Sequence, residues 1–122
     1  QLSQYFSAAD MFLFPSLQEG LPIALIEAMS RGLPVVATNI RGTCDLIADG
    51  DGGYLLDTDD HKGFADKVRS LTSSEHTRKI FGERNKNEAL KYEVEPVIGE
   101  IELLYKALLQ GSENIEDSAG CN

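Results

Sequence analysis

Residues 11–38 constrain this chain more than any other stretch. A short apolar run, Met11-Phe12-Leu13-Phe14-Pro15-Ser16, leads through a loop at Leu17-Gln18-Glu19-Gly20-Leu21 into a short apolar helix pattern from Pro22 to Arg31. A second apolar run, Pro34-Val35-Val36-Ala37-Thr38, follows at once. The first run does not alternate polar and apolar residues, as befits a buried strand of a parallel sheet. Gly32 stands where a helix takes its C-terminal cap, and Pro34 blocks continuation. Strand, loop, helix, strand is a parallel crossover unit, and such units take ligands at the carboxyl ends of their strands.

The loop and first helical turn carry the chemistry. Gly20 is read as a turn residue that a Cβ would obstruct, and one that lets a ligand come close to the main chain. Pro22 suits the first helical position, where a missing N–H is no loss. The N–H groups of Leu21, Ile23 and Ala24 then lack intrahelical partners, and with the helix dipole they form an anion site suited to phosphate. Glu19 precedes the helix, and Glu27 lies roughly 7–8 Å along the axis from Pro22. Two carboxylates are a poor complement to phosphate alone. They suit a ligand that also carries hydroxyl groups, because a carboxylate accepts hydrogen bonds from a diol. A nucleotide sugar has that pattern: ribose diol, diphosphate, hexose hydroxyls.

The string Glu19-Gly20-Leu21-Pro22, then Glu27-Ala28-Met29-Ser30-Arg31-Gly32-Leu33-Pro34-Val35-Val36-Ala37-Thr38, resembles the donor-binding signature of GT-B retaining glycosyltransferases. Family 4, the glycosyl transferases group 1, is the nearest in pattern. The lead-in Ala9 to Ser16 resembles that family's strand before the motif. The likeness runs from about Gln4 to Leu56 and more loosely to about Leu109. It implies an α/β fold, a partial Rossmann-like parallel sheet with flanking helices, as in the second half of a GT-B C-terminal domain. It also implies a residue-by-residue assignment. Glu19, the candidate catalytic carboxylate, meets the donor sugar's hydroxyls. Gly20, Leu21 and Pro22 lie along sugar and phosphates, the Ile23 N–H meets a phosphate, and Glu27 takes the ribose diol. The family's usual Gly-Gly-x-x-Glu is replaced here by Arg41-Gly42-Thr43-Cys44-Asp45, which weakens a donor role for Asp45. Arg41 is the one cation of that loop and is a weaker candidate for the sugar or diphosphate.

Composition sets the bounds. The chain has 122 residues, enough for one domain with a core. No apolar run reaches the roughly 18–20 residues of a membrane span. The net charge is −9, with nine acidic and two basic residues in 1–60. That balance argues against nucleic acid or an anionic membrane as partner of this part. No Lys precedes Lys62, so cations for a diphosphate are expected from an upstream part that the chain, starting at Gln1, lacks. Cys44 and Cys121 form no metal-binding spacing and read as free thiols. No metal and no cofactor is expected; the nucleoside-diphosphate sugar is a substrate.

The remaining chain reads as ordinary elements. Leu2 to Ala9 is a helix end with Tyr5, Phe6 and Ala9 inward. Thr43 is placed to cap a short helix, Cys44 to Ala48. Asp49-Gly50-Asp51-Gly52-Gly53 is a turn cluster before the strand Tyr54-Leu55-Leu56. Its Asp-x-Asp invites a calcium reading, but the twelfth position, where a calcium loop takes Glu, is Asp60, and the intervening Tyr54-Leu55-Leu56 is apolar, so a turn is expected. Asp57 to Asp60 cap a helix from His61 to Leu71. Ser74 to Tyr92 is a charged helix with Ile80, Phe81 and Leu90 as its apolar points. Both His61 and His76 read as solvated. Pro96 interrupts before a last helix striped by Val97, Ile101, Leu104 and Leu108, widened by Ile98 and Tyr105. Residues 1–109 are thus expected to be a donor-binding domain and 110–122 an acidic, disordered tail.

The resemblance implies a two-domain enzyme whose acceptor, a sugar or lipid-linked glycan, is held by the other domain. It would be cytoplasmic, with membrane association through that domain, and this chain alone would be inactive. A bacterial polysaccharide or lipid-linked glycan pathway follows from the family alone. Two alternatives are a GT-B-like nucleotide-sugar epimerase and a non-catalytic nucleotide-sugar-binding module.

Overall fold

The structure, a computed structural model, describes the backbone of residues 2–118 and the side chains of 4–93 and 98–110. It falls into two units, residues 1–90 and 91–122. The first is built on a four-stranded sheet: β1 (Phe12–Phe14), β2 (Val35–Thr38), β3 (Ala48–Asp49) and β4 (Gly52–Leu56), in the order β1-β2-β4-β3. The strands β1, β2 and β4 run parallel, with Phe12 beside Val35 and Val35 beside Gly53. The helices of this unit are α1 (Leu2–Ala8), α2 (Ile23–Ser30), α3 (His61–Ser73) and α4 (Glu75–Ala89), followed by a 3-10 turn at Leu90–Tyr92. This is the α/β, parallel-sheet architecture the pattern implies.

Burial follows the apolar runs. All four residues of β2 are buried, as a central parallel strand requires. Val36 packs with Leu71 of α3 and Phe81 of α4, and Met11, Tyr54, Leu56, Phe64 and Val68 close around them. A second cluster joins Phe6 of α1, Ala28 of α2 and Leu33, with Phe12 against it. The strand β1 is less covered than the run predicts. It borders the sheet among the described residues, and Leu13 is exposed.

Helix ends are set by local chemistry. The α2 helix stops in a Schellman motif: Gly32, at φ +75°, donates its N–H to Met29 O, and Leu33 N–H reaches Ala28 O. Asp60 caps α3 by accepting from Gly63 N–H at 2.8 Å. Ser74 caps α4 by accepting from Thr77 N–H.

Several expectations need correction. Of the three residues expected inward here, Phe6 is buried, whereas Tyr5 and Ala9 are exposed. Phe6 is held inward by an edge-to-face contact with Phe12. No helix forms at Cys44–Ala48, where residues 41–46 are turns. Thr43 is fully buried and its hydroxyl turns back to the Thr38 carbonyl at 2.5 Å, with the Ile40 carbonyl as the alternative acceptor at 2.8 Å. Such local side-chain bonding competes with helix. A fourth strand, β3, is also present: Ala48 and Asp49 pair in parallel register with Gly52 and Gly53 across the bend at Gly50. Ile80 and Leu90 of the charged helix region are exposed, and Phe81, Gly82, Asn85 and Ala89 are its buried positions.

The second unit is one long helix, α5 (Val94–Ser118). It takes in Pro96 near its start, where a missing N–H breaks no ladder. Ile98, Ile101, Leu104, Tyr105 and Leu108 form its apolar stripe and are all exposed. The Val97 side chain, residues 119–122 and Cys121 lie outside the described residues. No helix among the described residues is long and apolar enough to cross a membrane.

Candidate functional site

The candidate site lies where the loops leaving β1 and β2 meet the start of α2. The helix begins one residue later than the sequence implies. Pro22 is the N-cap, extended at φ −78°, ψ 92°, and Ile23 is the first helical residue. The N–H groups of Leu25 and Ile26 both turn back to Pro22 O, at 3.0 and 3.2 Å. This leaves the N–H groups of Ile23 and Ala24 at the open end of the helix, with Leu21 N–H in the loop before it. No side chain caps this end, so the partial positive charge of the dipole faces outward.

The α2 helix also buries less than its apolar composition implies. Leu25, Ala28 and Met29 form one inward face at the spacing of consecutive turns. Ile23, Glu27 and Ser30 lie on the opposite side and are exposed. Glu27 therefore stands on the outer face, four residues along from Ile23. Leu17, Leu21 and Ile23 are large apolar side chains left open around the same helix start.

Glu19 is half-buried and held. Ser16 Oγ donates to Glu19 Oε1 at 2.7 Å. Gly20 differs from its expected role: its φ is not positive, and a Cβ there would meet nothing within 4 Å. Any residue can adopt that backbone, so the space beside Gly20 is open to a ligand rather than required by the turn. The residue that does require glycine is Gly42, in the loop after β2. It sits at φ +94°, and a Cβ would lie 2.6 Å from Gly20 O and 3.2 Å from Glu19 Cβ. The two strand-end loops are thus in contact. Arg41, next to Gly42, is exposed.

Sequence reading placed Glu19, Gly20, Leu21, Pro22, Ile23 and Glu27 in one loop and helix start, and so the structure has them. It missed the support underneath. The buried Thr38 at the end of β2 donates its hydroxyl to Ser16 O. Thr43 in turn donates to Thr38 O. The signal available was position alone, since both threonines stand at or after the carboxyl end of a strand.

Asp49 and Asp51 lie away from any such role. Asp49 Oδ1 accepts from Leu55 N–H at 2.9 Å, and Asp51 Oδ2 accepts from Arg84 Nε at 2.9 Å. Their carboxylates fasten the turn at Gly50. Cys44 is a free, exposed thiol.

The sequence model of the glycosyl transferases group 1 matches residues 1–88. This chain belongs to that family. It is 38% identical over 96 residues to a sulfoquinovosyl transferase of Arabidopsis thaliana, covering 76% of this chain and 19% of that protein. It is 28% identical over 110 residues to a capsular polysaccharide biosynthesis glycosyltransferase of Staphylococcus aureus, covering 89% of this chain and 29% of the relative. Among solved structures it superposes on S. aureus TarM, solved with UDP and α-GlcNAc-glycerol, with a TM-score of 0.78 at 27% identity. That match covers 85% of this chain and 22% of TarM. A sucrose-phosphate synthase of Thermosynechococcus elongatus gives a TM-score of 0.80 at 23% identity, over 88% of this chain and 27% of that one, and shares the fold. The chain thus spans less than a third of each of these proteins. The group 1 relatives are glycosyltransferases, and the α/β parallel sheet here is that of the GT-B enzymes.

Proposed function

We propose that this chain carries the nucleoside-diphosphate-sugar site of a retaining glycosyltransferase whose other domain holds a sugar or lipid-linked acceptor. The observation that carries the reading is the open N-terminus of α2 between Glu19 and Glu27. Two free N–H groups and the helix dipole suit a diphosphate. The exposed Glu27 suits the ribose diol, and the held Glu19 suits the sugar hydroxyls. Gly20, Leu21 and Pro22 line the path between them, and Arg41 supplies a cation from the neighbouring loop.

The chemistry needs what such a site offers. The bond from the sugar's anomeric carbon to the diphosphate breaks with its electron pair left on the phosphate oxygen. An acceptor oxygen bonds to the same carbon and gives up its proton. Charge therefore grows on the leaving diphosphate, and fixed N–H dipoles aimed at it stabilise the transition state more than the ground state. The resident groups supply binding, orientation and this electrostatic term.

The test is turnover by the full-length protein that contains this chain, with UDP-, GDP- and ADP-glucose and UDP-galactose as donors and a panel of monosaccharide and lipid-linked acceptors. Release of nucleoside diphosphate with a product of unchanged anomeric configuration supports the reading. An inverted product overturns the retaining assignment. Binding of a sugar nucleotide without any transfer favours a non-catalytic module. Interconversion of the sugar without transfer favours an epimerase.

A further inference from the structure

The geometry points to Thr38 and Ser16 as positioning residues that aim the Glu19 carboxylate. This rests on the proposed donor site and adds a specific mechanism to it. Glu19 sits in a loop, and a loop carboxylate swings freely unless something holds it. Here a file of hydrogen bonds runs from the sheet to the carboxylate. Thr43, fully buried, donates its hydroxyl to Thr38 O at 2.5 Å and accepts from Ile40 N–H at 3.2 Å. That fixes the end of β2. Thr38, 2% exposed, donates its hydroxyl to Ser16 O. Ser16 then donates its own hydroxyl to Glu19 Oε1 at 2.7 Å.

Each link uses the donor and acceptor capacity of its residue. A threonine hydroxyl has one proton, and for Thr38 the Ser16 carbonyl is the near acceptor while Phe14 O lies at 3.5 Å. The Ser16 hydroxyl likewise prefers the carboxylate to Gln18 O at 3.3 Å. A hydroxyl given to a carboxylate is a charge-assisted bond, stronger and more directional than a neutral one. It occupies Oε1 and leaves Oε2 for a ligand. Gly42 closes the arrangement from the side, against Gly20 O and Glu19 Cβ. The carboxylate is therefore set by β2, the most buried strand of the sheet, and a sugar hydroxyl meets an acceptor already in place.

The test compares a nucleoside diphosphate with its glucose ester, in whichever of the UDP, GDP or ADP pairs the full-length protein binds. The variants are Glu19→Gln, Ser16→Ala, Thr38→Val and Thr38→Ser, each checked by thermal unfolding. The expected result is selective. Ser16→Ala and Thr38→Val raise the Kd of the sugar nucleotide about tenfold, as loss of one aimed hydrogen bond to a charged group does. The Kd of the nucleoside diphosphate changes less than about twofold, because its contacts lie on α2. Thr38→Ser, which keeps the hydroxyl, retains wild-type affinity. Equal weakening of both ligands, or no weakening by Ser16→Ala and Thr38→Val while Glu19→Gln is selective, overturns the positioning role. Should Thr38→Val fail to fold, Ser16→Ala removes the final link from a half-exposed position and decides alone. No selective effect of Glu19→Gln sinks the assignment of Glu19 itself, and the positioning role with it. Failure of all three pairs to bind removes the donor site and this inference together.

Discussion

Gly42 rests so close to Gly20 that a Cβ on it would lie 2.6 Å from Gly20 O. The contact joins the loop after β2 to the loop after β1, and the second of these carries Glu19. Gly42 also has φ +94°, where a side chain is strained whatever the space. Gly42→Ala must therefore distort its own loop or push the Glu19–Gly20 segment outward. The expected cost is about 1–3 kcal/mol. Sugar-nucleotide affinity should fall more than the unfolding midpoint, because the strain is released into the site. Isothermal titration beside thermal unfolding checks this. A variant with unchanged affinity for the sugar nucleotide would show that the two loops move independently.

Asn85 makes a comparable link at the other end of the strands. It is fully buried in α4, and its Nδ2 donates to Leu33 O at 2.8 Å and Gly52 O at 2.7 Å. Those carbonyls precede β2 and open β4, so one amide ties α4 to both strands. Asn85→Ala strands two carbonyls in a buried place and leaves a cavity, for an expected loss of about 2–4 kcal/mol. Gly52→Ala should be nearly as severe, since its Cβ would lie 2.1 Å from Asn85 Oδ1 at φ +91°. Denaturant midpoints measure both. If Asn85→Leu, which fills the space, is as stable as wild type, the amide is not what holds the strands.

These two links mark where sequence reading stops. The parallel strands were legible because long-range pairing buries both faces of β2, and that leaves an unbroken apolar run in the chain. The end of α2 was legible because a Schellman cap is local, needing only Gly32 and Leu33 in series. The Glu19 and Glu27 carboxylates were legible because motif and spacing lie within nine residues. Asn85 was not, since it stands in a charged helix, between Arg84 and Lys86, and its partners are 52 and 33 residues away. Thr43 looked like a helix cap for a different reason, since its partners Thr38 and Ile40 are close in the chain. A hydroxyl near a strand end can serve the next turn or reach back to the strand, and only the folded backbone decides. Glu27 reached the outer face because the buried stripe Leu25, Ala28, Met29 is narrower than the apolar composition of α2.

The first turn of α4 gives a pH-dependent expectation. Lys79 Nζ lies 2.8 Å from Glu75 Oε1, one turn away. The hydrogen bond from Lys79, then its charge, holds the Glu75 carboxyl below its usual value. A carboxylate lowered in the folded state adds stability above the ordinary carboxyl range and loses it as the pH falls through the lowered value. Both side chains are largely solvent-exposed, so screening keeps the contribution small. Glu75→Gln should lower the midpoint slightly at neutral pH, and not at all once the carboxyl is protonated in acid. Salt near 1 M should erase the difference as well. A difference that persisted in acid would assign the effect to α4 packing rather than to the pair.

Glu27 offers the most direct test of the donor site. Its side chain is exposed on the outer face of α2, so Glu27→Gln should leave stability within about 0.5 kcal/mol of wild type. If the carboxylate holds a ribose diol, the same substitution should raise the Kd of a nucleoside diphosphate by about 10–100-fold, the range for hydrogen bonds to a charged group. The ligand can be changed in step with the protein. A 2′,3′-dideoxy nucleoside diphosphate lacks the diol, so it should bind wild type weakly and Glu27→Gln no more weakly. The two losses should overlap rather than add, as in a double-mutant cycle across protein and ligand. Additive losses would mean that Glu27 acts on the phosphates or on the helix start, and the diol would then need another partner. Inorganic pyrophosphate serves as the control. Its binding should be unchanged or slightly tighter in Glu27→Gln, because removing a negative charge beside the anion site can only favour an anion.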